Sequence, residues 1–159
     1  MFWVDVDSLD AYLGFDPKRK PDLLRLDGVI RKAAPALKRH FHAGTPAGEA
    51  GMRFKMIGYG KFQYAIKSGK TSPWPVIGVA LQKNYISVYM AVTKDKQPLV
   101  KRYAGTLGEL RSGGNNFSFE TFDELDAAQL SKLFNEAGSI FTADAGNPVR
   151  YMQGETNTE

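Results

Sequence analysis

The chain has 159 residues, of which 43% are hydrophobic and 24% are charged, and it contains no cysteine. This length and composition are typical of one globular domain that buries roughly 70% of its unfolded surface. The lack of cysteine excludes disulfides, thiolate metal sites and cysteine nucleophiles. The longest apolar run, Val76 to Leu81, is much shorter than the ~18 residues of a membrane span, so no membrane partner is expected. The acidic first ten residues do not resemble a signal peptide, and we therefore expect a cytoplasmic protein.

The net charge of +4 is distributed unevenly along the chain. Residues 17–40 hold eight basic and two acidic residues, whereas residues 120–159 hold eight acidic and two basic ones. A basic middle between acidic ends either attracts anionic partners or is neutralised by those ends in the folded protein. The basic residues are scattered rather than in runs, which favours mutual neutralisation.

Two helices are predicted at the start of the chain. Ser8 is a helix cap for the short segment from Leu9, which ends at Gly14. Pro21 is suited to the first turn of a second helix, and Pro35 predicts a kink or a break in it. The apolar face of this second helix recurs every three or four residues, at Leu23, Leu26, Ile30, Ala33 and Leu37.

The middle of the chain has the pattern of strands. After a glycine-rich loop at Gly44–Gly51, which we expect to be mobile, apolar residues alternate from Phe62 to Ile66. Ser72–Pro75 predicts a rigid, extended connection, and Val76–Leu81 and Tyr85–Val92 predict an antiparallel hairpin. Alternation in the hairpin gives one apolar face made of Ile77, Val79, Leu81, Ile86, Val88, Met90 and Val92.

The remaining elements are two helices and a strand. Pro98 opens a helix that Gly108 ends, and a short strand follows at Phe117–Glu120. Thr121 and Glu124 match a capping box, which predicts a helix that ends at Gly138.

The order of the elements predicts an α+β fold, in which an antiparallel sheet carries helices packed on it. We expect a single domain over residues 1–140. Residues 141–159 are predicted to form a partly disordered C-terminal extension.

Aromatic and glycine landmarks follow one another in order over Met56–Gly60, Phe62–Tyr64, Trp74–Ala80, Lys83–Tyr89 and Arg111–Gly114. On these landmarks the sequence resembles the YdhG-like family of small bacterial proteins of unknown function, over roughly residues 5–140. The resemblance implies a frataxin-like fold. Some members of the family look like iron chaperones, so the resemblance also implies iron handling.

Two groups of residues are candidate metal ligands. Asp5, Asp7 and Asp10 supply hard oxygen ligands of the kind that ferrous iron accepts, although acidic residues also favour a helix start without any metal. His40 and His42 project from the same face if their segment is extended, which is also compatible with ordinary surface or packing histidines.

A second candidate site is aromatic. Tyrosine and tryptophan often line ligand pockets because they join apolar area to a polar group. Ordinary packing of a core and a sheet face explains them as well. The candidate ligand-binding residues are Tyr59, Tyr64, Trp74, Tyr89 and Tyr103.

No phosphate-binding glycine loop, nucleophile elbow or zinc-protease motif is present, and no nucleophile and base are marked out. We therefore predict a non-enzymatic binding protein for a metal ion or a protein partner, with iron implied by the resemblance alone. The alternative is a small-molecule or protein-interaction module that uses the aromatic surface around Trp74. Nucleic-acid binding is the least favoured reading, because no recognised motif accompanies the basic cluster Lys94, Lys96, Lys101, Arg102 and Arg111.

Overall fold

The computed structural model describes residues 2–44, 54–65, 71–108 and 111–143. The helices are α1 (Leu9–Leu13), α2 (Lys20–Ala33), α3 (Leu99–Tyr103) and α4 (Ala127–Ala143), and a 3-10 turn spans Phe122–Glu124. The strands are β1 (Arg39–His42), β2 (Met56–Ala65), β3 (Thr71–Leu81), β4 (Ile86–Met90), β5 (Thr93–Lys94), β6 (Gln97–Pro98), β7 (Arg111–Ser112) and β8 (Asn116–Phe119). None of the helices in these ranges is long and apolar enough to cross a membrane.

Six strands form one antiparallel sheet in the order β1-β2-β3-β4-β8-β7, and β5 and β6 form a separate two-stranded hairpin. The predicted hairpin of β3 and β4 is confirmed, with Val79 opposite Val88. Its predicted apolar face is buried throughout. The α+β class with an antiparallel sheet and helices is therefore correct.

Helices α2 and α4 contact each other and pack on one face of the sheet. Leu23, Leu26 and Ile30 of α2 and Leu133 of α4 are fully buried in the same core as the apolar sheet face. The periodic apolar stripe on α2 thus covers the sheet, as the sequence predicts.

The predicted interruption of the second helix is a break. Helix α2 ends at Ala33, two residues before Pro35, since the residue preceding a proline is disfavoured in helical conformation. Leu37 is buried, but it lies in the turn that leads to β1 and not on the helix. Gly60 of β2 packs against this turn and has φ +72°, and its N–H donates to the Lys38 carbonyl.

Two expectations for the strands and for α3 are wrong. Ser72–Pro75 is extended, as predicted, but it belongs to β3 instead of connecting two elements. Pro73 and Pro75 are tolerated there because this part of β3 pairs with β2 and extends beyond β4. The helix that begins after Pro98 ends at Tyr103 instead of Gly108. Gly108, at φ +119°, instead forms a bridge with Leu125 of the chain that leads to α4.

The start and end of α4 also differ from the prediction. The capping box at Thr121 and Glu124 closes only the 3-10 turn, and α4 begins after Asp126, whose side chain accepts from the Gln129 N–H at 3.1 Å. Gly138 lies inside α4, because its missing side chain lets α4 approach Ala34. The predicted extension after residue 140 therefore begins within the helix, and residues 144–159 are outside the described ranges.

Candidate functional site

An open cavity lies where α2 ends and β1 begins. It has a volume of about 690 Å³, within the range of ligand sites. The break after α2 turns the chain back, so that side chains from the last turns of α2 meet those at the start of β1. The lining residues are Gly28, Arg31, Lys32, Pro35, Leu37, Lys38 and Arg39.

A buried carboxylate holds two of these cations. Asp27 is only 4% exposed, and the Arg39 Nη1 donates to its Oδ2 at 2.8 Å. The Arg31 Nη1 lies 3.6 Å from the same oxygen. Two guanidinium groups from different elements therefore converge on one carboxylate oxygen.

The other oxygen of Asp27 is bound from the sheet. The Tyr59 hydroxyl donates to Oδ1 at 2.6 Å, and Tyr59 is fully buried. Burial, together with the Asp27 carboxylate, raises the pKa of Tyr59 well above its ordinary value, so the hydroxyl remains a donor. Asp27 is thus fixed from both sides, which limits the orientations available to Arg39.

The cavity carries a surplus of positive charge. Four cationic side chains line it, and within the described residues Asp27 is the one carboxylate that pairs with them. Lys32 and Lys38 form no ion pair within the described ranges. A guanidinium presents a planar fork of donors that matches phosphate and carboxylate oxygens. The arrangement is suited to binding an anion.

The predicted aromatic residues are not brought together as one surface. Tyr59 lies in the core beneath the basic cavity, and the side chain of Tyr64 is outside what the structure describes. Trp74 and Tyr89 do meet, around a small cavity of about 10 Å³, which is room for about one water molecule. The Phe54 ring packs on Tyr89 with a centroid distance of 5.5 Å.

Tyr103 lies elsewhere, against α4. Its hydroxyl donates to Glu136 Oε1 at 2.7 Å, and the Lys94 Nζ donates to Oε2 at 2.6 Å. Burial and the Glu136 carboxylate raise the pKa of Tyr103 to about 12. Hydrogen bonds from Lys94 and Tyr103 lower the pKa of Glu136. Tyr103 therefore stabilises the contact between α3 and α4.

The candidate aspartates lie on the surface, away from a ligand set. Asp5, Asp7 and Asp10 are exposed, and the Asp7 Oδ1 lies 3.5 Å from the Lys55 Nζ. In residues 2–44, 54–65, 71–108 and 111–143, no three acidic or histidine side chains form a group that could hold a metal ion. The iron site implied by the resemblance remains a prediction.

The two histidines lie on extended backbone, as the same-face prediction requires, because both belong to β1. The His40 ring lies over Gly58, where a larger side chain would collide with it. Its Nε2 is 3.0 Å from the Gly60 carbonyl, to which it donates, and burial lowers the pKa of His40. His42 is 8% exposed. These positions are those of packing histidines on the sheet.

Sequence reasoning missed the network of Asp27, although one signal was present. Asp27 is four residues after Leu23 and three before Ile30, so it lies on the apolar face of α2. A carboxylate on that face must find partners when it is buried. The nearby basic residues at positions 31 and 39 supply those partners.

No protein-family model, curated protein or solved structure matches this chain. The YdhG-like resemblance and the frataxin-like fold therefore remain predictions.

Proposed function

We propose that this protein is a non-enzymatic binding protein that holds an anionic ligand in the basic cavity at the end of α2. The observation that carries the proposal is the convergence of Arg31 and Arg39 on the Asp27 Oδ2 atom. Because Asp27 is held in turn by Tyr59, the guanidinium group of Arg39 is oriented before a ligand arrives. Such preorganisation reduces the entropy cost of binding.

The charges of the cavity support an anion in preference to a cation or a neutral ligand. Asp27 offsets one of the four positive charges, and Lys32 and Lys38 add mobile point charges beside the guanidinium groups. Phosphate and carboxylate groups are bound by such mixed sets of arginine and lysine. Charges in a concave site also interact more strongly than charges on an open surface.

A purely structural role for the arginines is the competing interpretation. Asp27 needs a partner because it is buried, and Arg39, at 25% side-chain exposure, already provides one at 2.8 Å. Arg31 is 55% exposed and 3.6 Å away, so it contributes little to that pair. We instead assign Arg31 to the ligand. Arg31 is therefore the residue at which the two interpretations differ.

Pyrophosphate is the probe that tests the proposal, followed by amide NMR of isotope-labelled protein at 50 and 200 mM NaCl. We expect saturable shifts confined to the amides around the cavity, those of Gly28, Lys32, Leu37 and Lys38. Affinity should fall at the higher salt concentration, since salt screens exposed charges. Weak shifts that do not saturate and are spread over all exposed lysines would contradict a specific site.

A further inference from the structure

A second cavity adjoins the basic one at the turn after α2. It has a volume of about 380 Å³ and lies between the C-terminal ends of α2 and α4. Pro35 lines both cavities, so the two are neighbours on either side of this proline. We call the second cavity the apolar groove; its lining residues are Ala33, Ala34, Pro35, Ala36, Asn135, Gly138, Ser139, Thr142 and Ala143.

The groove is apolar although some of its residues are polar. The Thr142 hydroxyl donates to the Gly138 carbonyl at 2.7 Å, and the Asn135 Nδ2 donates to the Ala33 carbonyl at 3.2 Å. These hydrogen bonds engage two of the three polar side chains of the groove, and Ser139 is the third. What the groove offers to a ligand is therefore mainly methyl and methylene surface from alanine and proline.

Close approach of the two helices shapes the groove. A Cβ atom at Gly138 would lie only 3.1 Å from the Ala34 Cβ, so α2 and α4 are nearly in backbone contact there. Small residues on both helices leave space beside this contact. The groove is thus an open hollow bounded by two rigid helices.

We propose that the ligand is a small anionic amphiphile, with its charged group in the basic cavity and its apolar chain in the groove; this inference rests on the proposed function. A hydrophilic anion would leave the groove unused, and a neutral apolar molecule would gain nothing from the four cations. A molecule with both parts fits both cavities, each of a volume typical of ligand sites.

A homologous series of alkyl carboxylates tests the inference. Butyrate, hexanoate, octanoate and decanoate are titrated below the concentrations at which they form micelles, and binding is measured by calorimetry and amide NMR. We expect the affinity to rise about fourfold per methylene, about 0.8 kcal/mol, until the groove is filled. The longer chains should shift the amides of Ala36, Ser139 and Ala143. Octanol should bind more weakly than octanoate.

Matched variants separate the two parts of the ligand. Ser139→Gln places a larger polar side chain in the groove, and Ser131→Gln makes the same change at another exposed position of α4 that does not line it. In Ser139→Gln the affinity should no longer rise with the chain length of the carboxylate, whereas in Ser131→Gln it should rise as in the wild-type protein. Arg31→Gln should weaken the binding of every carboxylate in the series by a similar factor.

The outcomes distinguish this inference from the proposed function. If pyrophosphate binds at the basic cavity but carboxylate affinity does not rise with chain length, the inference is overturned and the proposed function remains. If chain length matters but Arg31→Gln has no effect, the charged group does not occupy the basic cavity, and the inference is again overturned. If neither pyrophosphate nor any carboxylate binds, both proposals fail.

Discussion

Replacing Tyr59 with phenylalanine removes one oxygen atom from a fully buried site and breaks its 2.6 Å hydrogen bond to Asp27. A hydrogen bond to a charged group contributes about 1.5–3 kcal/mol, and the loss leaves a buried carboxylate oxygen without this donor. Phenylalanine retains the ring and its packing, so the cavity cost is small. We therefore expect Tyr59→Phe to lower the free energy of unfolding by about 1.5–3 kcal/mol.

Urea denaturation followed by far-UV circular dichroism measures this change, with the slope of unfolding free energy against urea unchanged. Tyr85→Phe is the control, because the Tyr85 hydroxyl forms no side-chain hydrogen bond in the described ranges and its ring is only partly buried. Its effect should be below about 0.5 kcal/mol. Equal losses in the two variants, or no loss in Tyr59→Phe, would refute the idea that Tyr59 holds Asp27 in place.

Three further predictions concern other parts of the molecule. Because burial lowers the pKa of His40 below 6.5, the unfolded chain binds this proton more readily than the folded protein does. NMR titration should give a pKa below 6.5 in the folded protein, and the free energy of unfolding should fall as the pH decreases from 6.5 through that value. A pKa at or above 6.5 would contradict the burial argument. Gly28→Ala should stabilise the protein by about 0.5–1 kcal/mol, because nothing lies within 4 Å of the added methyl group. Gly60→Ala should destabilise it, because Gly60 has a φ of +72° and the added methyl group would collide with Leu37. Changes of the same sign in the melting temperatures of the two variants would contradict this prediction. If the resemblance to iron chaperones holds, anaerobic ferrous iron should broaden amide signals near the N-terminus in a saturable way, and an unchanged spectrum at several-fold excess would oppose it. The matched variant for this titration is the joint change to asparagine of Asp5, Asp7 and Asp10.

Local signals predicted much of the secondary structure. Ser8 accepts from the Ala11 N–H at 3.1 Å, and α1 stops at Gly14, as capping chemistry requires. Strand alternation predicted that Ile77, Val79, Val88 and Met90 share one buried face of the β3–β4 hairpin, because side chains in a strand point to opposite faces in turn. These features depend on residues close in sequence, so the sequence displays them directly.

Features that depend on tertiary contacts were not predictable. Gly138 has the form of a helix stop, but its role is to admit Ala34 from a helix about one hundred residues earlier. The hairpin of β5 and β6 was missed because its turn uses Asp95 and Lys96, both with positive φ, in place of the usual asparagine and glycine.

The candidate site was hidden for the same reason. Arg31 is an i,i+4 neighbour of Asp27 on α2, but Arg39 is ordinary in sequence and reaches the same carboxylate only because the chain turns back after α2. Asp27 on an apolar helix face was the available clue, but its partner Tyr59 is thirty-two residues away on the sheet. Among the predicted aromatic residues whose side chains the structure describes, Trp74 and Tyr89 line one small cavity, whereas Tyr59 and Tyr103 lie elsewhere.

The most direct test of the account is calorimetric titration of pyrophosphate into the wild-type protein, Arg31→Gln and Arg25→Gln. Both arginines lie on α2 with similar side-chain exposures, 55% and 52%, but only Arg31 lines the basic cavity. We predict saturable binding that Arg31→Gln weakens about tenfold, about 1.4 kcal/mol, and that Arg25→Gln leaves within about twofold. Equal effects of the two substitutions, or no saturable binding to the wild-type protein, would contradict the claim that this cavity binds anions.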